Sequence, residues 1–307
     1  MSKQPAKVES AKTAAAEAPA CAGPDFNPRM PVLRLPPNAC DTHAHIMGPK
    51  DKYAYSPERV YTPPDCLLPD YLYMLDRLGV ERAVLVQPSV YGTDNTVMIE
   101  AMKAAGDRFR GVAVVEEDID DDELKTLDSA GVRGVRVNIV DVKDRKPGSL
   151  PLAKLRKLAE RIQPLGWHME FLMHADEFPD LDKSFADFPV EIVLGHLGYM
   201  KTEKGIDDPG FQALLRLAKS GRCWVKLTGP YRISASPLPY SDVTSFAHAL
   251  LAAAPDQLLW GTDWPHVMLK GTMPNDGALA DLLSTWIPEP SQRSKVLVHN
   301  PARLYRF

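Results

Sequence analysis

The stretch Ala39-Cys40-Asp41-Thr42-His43-Ala44-His45-Ile46-Met47-Gly48-Pro49 decides how the rest of the chain is read. A doubly wound dinucleotide fold shows a GxGxxG turn after its first strand, whereas here a short strand-like run carries two imidazoles at i and i+2, on one face. Seven further short apolar or β-branched runs follow, at 82–88, 110–115, 134–139, 168–174, 190–196, 223–228 and 258–263. Between them lie helical patterns at 69–78, 96–105, 123–130, 150–164, 210–219, 243–253 and 276–286, with a weaker one at 176–186. Gly79, Gly106, Gly131, Gly166 and Gly221 follow helical patterns and lead into the next strand, as helix-ending glycines do. Eight βα units favour closure, which predicts an α/β fold, a single-domain (β/α)₈ TIM barrel over residues 38–307.

Residues 1–37 are rich in Ala, Lys, Glu and Pro without a continuous apolar run, and are expected to form a disordered or extended, mobile N-terminal tail. That composition argues against a secretory signal and for a cytoplasmic protein, with an organelle transit peptide as the lesser alternative. The chain is 307 residues long, 45% apolar and 25% charged, with a net charge of −4. Mixed charge gives no basic field for nucleic acid, and no apolar run is long enough to span a bilayer. The four cysteines lack CxxC spacing, so they read as reduced thiols rather than a zinc knuckle or redox pair. The expected partner is a small acidic substrate, with neither nucleic acid nor membrane, and the composition is compatible with a homo-oligomer.

In such a barrel, side chains at the C-terminal ends of strands converge on one pocket. Four of the expected strands end in ligand or acid/base types: His43 and His45 on the first, His174 on the fifth, His196 on the sixth and Asp263 on the eighth. Three imidazoles and a carboxylate suit zinc or a similar cation with an open position. Such an ion acidifies water, and a neighbouring carboxylate can take the proton. Singly, each residue also has a structural reading: an incidental HxH pair, a satisfied core histidine at 196, a helix or turn cap at Asp263. Coincidence at four strand ends favours the functional one. Arg133 and Arg136 sit three apart and face opposite ways on a strand, so only Arg136, nearer the C-terminal end, is expected to meet a ligand. Tyr61, Tyr91 and Tyr199 lie on βα loops where a phenol can donate to a carbonyl. Arg232 is read as a substrate contact or a loop strut, and His266 as a substrate contact or a partner of its own turn. His168, at the start of its strand, faces the opposite rim and is read as structural.

The segments ACDTHAHIMGP (39–49), RVYTPP (59–64), VLVQPSVYGTDN (84–95), AGVRGVRVN (130–138), GHLGY (195–199), KLTGPYRIS (226–234), LLWGTDWPH (258–266) and NPARLY (300–305) together resemble the amidohydrolase-related family of metal-dependent hydrolases. Within that family the likeness is to lactone hydrolases acting on pyrone dicarboxylates and sulfomuconolactones. The resemblance implies that His43 and His45 are metal ligands, that Asp263 is both a ligand and the base toward water, and that His196 assists or orients. Metal-free lactonases of this kind carry an acidic side chain where this chain has His174; metal-holding members have histidine. His174 therefore joins the expected ligands of one divalent ion, Zn²⁺ with Mn²⁺ as the alternative. Arg136, Arg232, Tyr61, Ser89 and Tyr91 fall where such lactonases hold substrate carboxylates and carbonyl oxygens. Where they carry a carboxylate-gripping arginine, this chain has Tyr199. Fewer fixed cations hold fewer anionic groups, which points to a lactone or ester with one acidic group, opened by activated water as in the catabolism of aromatic compounds. Two rivals use the same residues: a non-oxidative decarboxylase of an aromatic or muconic acid, and a non-catalytic binding protein.

Overall fold

The computed structural model describes residues 18–140 and 145–307. The strands are β1 (Cys40–Ala44), β2 (Arg82–Val86), β3 (Phe109–Ala113), β4 (Val132–Asn138), β5 (His168–Leu172), β6 (Ile192–Leu194), β7 (Cys223–Leu227) and β8 (Leu258–Trp260). They form one eight-stranded sheet in chain order. The seam closes just beyond β8, where the Asp263 amide donates to the His43 carbonyl and the His45 amide to the Trp264 carbonyl, both at 2.8 Å. Asp41 staples the same seam: its Oδ1 accepts from the His43 and Thr262 amides at 3.0 and 2.9 Å, and its Oδ2 from the hydroxyls of Thr262 and Tyr71 at 2.5 and 2.9 Å. Burial pushes this carboxyl up to about 6 against the pull of those donors.

All eight expected strands are present, each stopping one to three residues before its expected C-terminal end. The final residues of each run have left the ladder and turn onto the rim. Around the barrel stand α1 (Leu68–Leu78), α2 (Thr96–Ala105), α3 (Asp121–Ser129), α4 (Leu152–Ile162), α5 (Leu181–Ser184), α6 (Pro209–Lys219), α7 (Thr244–Ala253) and α8 (Asp276–Asp281). Their apolar stripes explain the packing; in α4 the buried Leu155, Leu158, Ala159 and Ile162 fall on one face. Side-chain caps set several starts, Asp120 accepting from the Glu123 amide before α3 and Asp208 from the Gly210 amide before α6. The weak pattern at 176–186 becomes a single turn, α5.

Residues 18–37 run as an extended strap stitched to the barrel, the extended one of the two forms expected; residues 1–17 lie outside the described residues. The Thr62 amide donates to Pro19 at 2.8 Å and the Cys21 amide to Thr62 at 3.0 Å, while Arg29 pairs with Asp281 of α8 at 2.6 Å. Composition does not place its anchors, because an extended strap held by main-chain bonds needs no apolar periodicity.

Inside the ring, Val84, Val86, Val112, Val193, Trp224 and Leu259 pack as one cluster, with Leu304 and Tyr305 of the C-terminal helix Asn300–Tyr305 packed against them. His168 lies on the Tyr305 ring at 5.2 Å, so close to Gly134 that a Cβ there would sit 2.6 Å from the imidazole. Burial lowers its pKa to about 3. Between that value and the unfolded one near 6.5, the unfolded chain binds a proton that the folded chain refuses. The contribution is therefore complete above pH ~6.5 and is lost on acidification at up to about 1.4 kcal/mol per pH unit. Urea denaturation at pH 7.0 and 5.0 should show a smaller stability loss in His168→Phe than in the parent; equal losses would contradict this.

Candidate active site

The strand ends open on a cavity of about 330 Å³ whose wall includes His43, His45, His196, Arg136, Arg232 and Asp263. Alternation along β1 brings the two imidazoles together, with ring centroids 5.1 Å apart, and His196 reaches His43 at the same separation. The Nδ1–H of His45 donates to the Val86 carbonyl at 2.7 Å, leaving its Nε2 free of that bond. At His43, Nδ1 lies 3.3 Å from Lys226 Nζ and 3.2 Å from Glu170 Oε1, while Nε2 lies 3.8 Å from Asp263 Oδ1.

Those last two atoms, His43 Nε2 and Asp263 Oδ1, are both buried without a hydrogen-bond partner. Such orphans are costly and call for an occupant. One ligand atom from each of His43, His45 and Asp263 lies within 4.8 Å of the others. Two imidazole nitrogens and a carboxylate oxygen match the donor preferences of zinc, so these residues fit a divalent ion.

The other Asp263 oxygen is fully engaged. Oδ2 accepts from the Tyr231 hydroxyl and from Arg232 Nε, each at 2.6 Å, and His196 Nδ1 stands 4.0 Å away. Burial alone would raise the Asp263 pKa, but Arg232, then His196 and His43, hold it well below the usual carboxylate range. Burial drives the imidazoles the other way, His45 down to about 4 and His196 to about 3. An ionised acid among neutral imidazoles is the state in which all of them can ligate a cation or accept a proton. Behind Tyr231, its hydroxyl also meets His266 Nδ1 at 2.7 Å, and His266 Nε2 meets Asp276 Oδ1 at 3.1 Å.

Of the other expected residues, Tyr61, Ser89 and Tyr199 line the cavity together with both arginines. Burial pushes the Tyr61 phenol up to about 12, so it is a hydrogen-bond donor at neutral pH. Three residues take other places. His174 sits two residues past the end of β5, its Nδ1–H given to the Tyr199 carbonyl at 2.7 Å and its ring stacked on Tyr199 at 4.8 Å; it is not in the ligand group. Tyr91 accepts from the Gly48 amide at 2.7 Å and braces the first βα loop instead of facing the cavity. His266 is wholly buried, its ring nitrogens on the Tyr231 hydroxyl and on Asp276, so the ring neither lines the cavity nor bonds its own turn. Arg133 pairs with Asp128 at 3.2 Å, as a residue facing away from the cavity can.

Sequence reasoning passed over Lys201, Lys270 and Leu172, which also line the cavity, and Glu170 and Lys226, which lie beneath His43. A charged residue inside an otherwise apolar strand was the signal available: Glu170 in His168–Leu172 and Lys226 in Cys223–Leu227. The rim backbone is unusual as well. His196, Leu197 and Tyr199 after β6, and Asp263, His266 and Met268 after β8, all have φ between 51° and 67°. Non-glycine residues held there cost about 1–3 kcal/mol each.

Residues 40–307 match the protein family described as amidohydrolase. A 2-pyrone-4,6-dicarboxylate hydrolase of Comamonas testosteroni is 38% identical over 288 residues, covering 91% of this chain and 93% of that protein. A 4-sulfomuconolactone hydrolase of Rhizobium radiobacter is also 38% identical, covering 94% of this chain and 96% of its own. Among solved structures, one from Acinetobacter baumannii, described as a probable 2-pyrone-4,6-dicarboxylic acid hydrolase with citric acid bound, superposes with a TM-score of 0.76 at 27% identity, covering 88% of this chain and all of that one.

Proposed function

The chain belongs to the amidohydrolase family, and we propose on that footing that it is a hydrolase that uses water to open a lactone or related ester of a small acidic molecule. One observation carries the reading: an ionised Asp263 whose unpartnered Oδ1 faces His43 in a cavity that also presents Arg136. The two relatives at 38% identity are both named for lactone-type substrates, and nothing at the site favours the decarboxylase alternative.

His43, His45 and Asp263 would hold a divalent cation, zinc by donor type with manganese as the alternative. Once bound, it supplies Lewis acidity, polarising the substrate carbonyl and acidifying water. The chain's own groups do the rest. Arg136 anchors the substrate's acidic group, with Lys201 and Lys270 adding positive charge at the wall. Asp263 Oδ1 receives a proton from water as the water oxygen bonds to the carbonyl carbon. Tyr61, Ser89 and Tyr199 donate to the oxygen on which charge develops. When the ring C–O bond breaks, the proton on Asp263 passes to the departing oxygen, with His196 beside the carboxylate to orient it. We place this reaction in the cytoplasm, in the breakdown of aromatic compounds; no helix among the described residues is long and apolar enough to cross a membrane.

The test is a panel of acidic and neutral lactones followed by acid release, with trapping of carbon dioxide and elemental analysis of the purified protein. Acidic lactones should open without carbon dioxide, and one equivalent of metal should accompany the active protein. Arg136→Met should raise KM for acidic lactones by roughly 10- to 100-fold, the value of a charge-assisted hydrogen bond, and leave neutral lactones within about twofold. Carbon dioxide release without ring opening would overturn the proposal.

A further inference from the structure

Asp263 Oδ2 lies 2.6 Å from Arg232 Nε, which can only donate, so this oxygen is an acceptor. The Tyr231 hydroxyl, also 2.6 Å away, must then spend its single hydrogen on Oδ2. With that hydrogen committed, the phenol oxygen can meet His266 Nδ1, 2.7 Å away, only by accepting, so Nδ1 bears a hydrogen. His266 Nε2 in turn reaches Asp276 Oδ1 at 3.1 Å. Both His266 and Asp276 are completely buried, and Asp276 is the first residue of α8. The hydrogens on Nδ1 and on the phenol both point toward one oxygen of the acid, while the Nε2–Oδ1 contact ties the imidazole to α8.

We propose that Tyr231, His266 and Asp276 form a positioning chain that holds Asp263 so that Oδ1 alone is free for chemistry. The proposal rests on the reading of Asp263 as the group that takes the proton from water. Arg232 by itself leaves the carboxylate able to turn about its own axis and exchange its oxygens. The second, neutral donor on Oδ2 removes that freedom, and His266 fixes which way the donor points. Asp276 ties the imidazole to a helix rather than to the loop that carries it. Tyr231 touches the reacting carboxylate; His266 and Asp276 act only through Tyr231.

A double-mutant cycle on Tyr231→Phe and His266→Ala tests this, with His266→Asn as the conservative variant whose amide can donate to the phenol in place of Nδ1. Tyr231→Phe should lower kcat for lactone opening by about 10- to 100-fold, the usual toll of losing an outer-sphere orienter, and leave KM within about twofold. His266→Ala should do the same, His266→Asn should recover part of the loss, and the double variant should match Tyr231→Phe alone. Multiplicative losses in the double variant, or wild-type kcat in Tyr231→Phe, would mean that the buried pair merely pins the loop, and would overturn the proposal. Tyr231→Phe keeps the ring and its packing, so that arm stands even where His266→Ala does not fold. High-resolution crystal structures of the parent and Tyr231→Phe give a readout independent of substrate. The Asp263 carboxylate should rotate away from the Oδ1-to-His43 direction, and an unchanged carboxylate overturns the chain. If the parent opens no lactone while the carboxylate still turns in Tyr231→Phe, the functional reading fails and the chain survives.

Discussion

Asp263→Asn is expected to lower kcat for lactone opening by about 10³-fold, within the range that a positioned general base contributes. The amide has nearly the same shape and can still accept from Arg232, so the cavity keeps its form. What it loses is the ability to take a proton at the atom beside His43 Nε2, and one of the three groups fit to hold a metal ion. KM should change little for substrates held by Arg136. Steady-state kinetics alongside a thermal melt separates the two effects: a variant that folds and retains more than about a tenth of the parent kcat is incompatible with Asp263 as the base. Some loss of stability is expected in addition, because Arg232 then lacks its buried countercharge.

The second large effect concerns stability. Glu170→Ala should destabilise the fold by about 3–5 kcal/mol, the usual consequence of removing one partner from a buried ion pair. Lys226 Nζ is inaccessible to solvent, 2.6 Å from Glu170 Oε2 and 2.7 Å from the Thr42 carbonyl. Without the carboxylate, the buried ammonium is left with the Thr42 carbonyl, the His43 imidazole, the Tyr305 ring 6.0 Å away and the charge of Asp41, none of which is a direct ion pair. Replacing both residues, Glu170→Leu with Lys226→Met, should restore most of the loss, because two apolar side chains of similar volume need no countercharge. Chemical denaturation of the single and double variants measures this. A double variant as unstable as the single would show that packing, not charge, is what Glu170 contributes.

Much of this architecture is legible in the sequence alone. Strand-length apolar runs alternating with amphipathic helices, punctuated by glycines such as Gly79 and Gly166, carried the barrel, and local periodicity is enough for that. His43 on β1, and His45 and Asp263 just past their strands, were legible because main-chain bonds across the seam, from the His45 amide to Trp264 and the Asp263 amide to His43, carry the strand's course onward. Where no such bond extends the strand, that rule stops. His174 looked like a ligand by its place in a run, yet it lies beyond the last ladder residue, where turn geometry sends the ring against Tyr199. Tyr91 and His266 were misplaced for the same reason, since loop residues have no period to extrapolate. The anchors of the strap at 18–37, Thr62 and Asp281, escaped notice because they are remote in sequence. Glu170 and Lys226 could be seen as anomalies in apolar strands, but only the closed ring shows that they meet under His43.

The left-handed residues after β6 and β8 bear on how this protein can change. Glycine at any of those six positions would relax the main chain, yet His196 and Asp263 are among them and their side chains are the point of the site. A lineage selected for heat tolerance alone would find its easiest gains at the rim and pay in turnover, whereas one selected on rate has to seek its robustness elsewhere, in the outer helices or the underside of the ring.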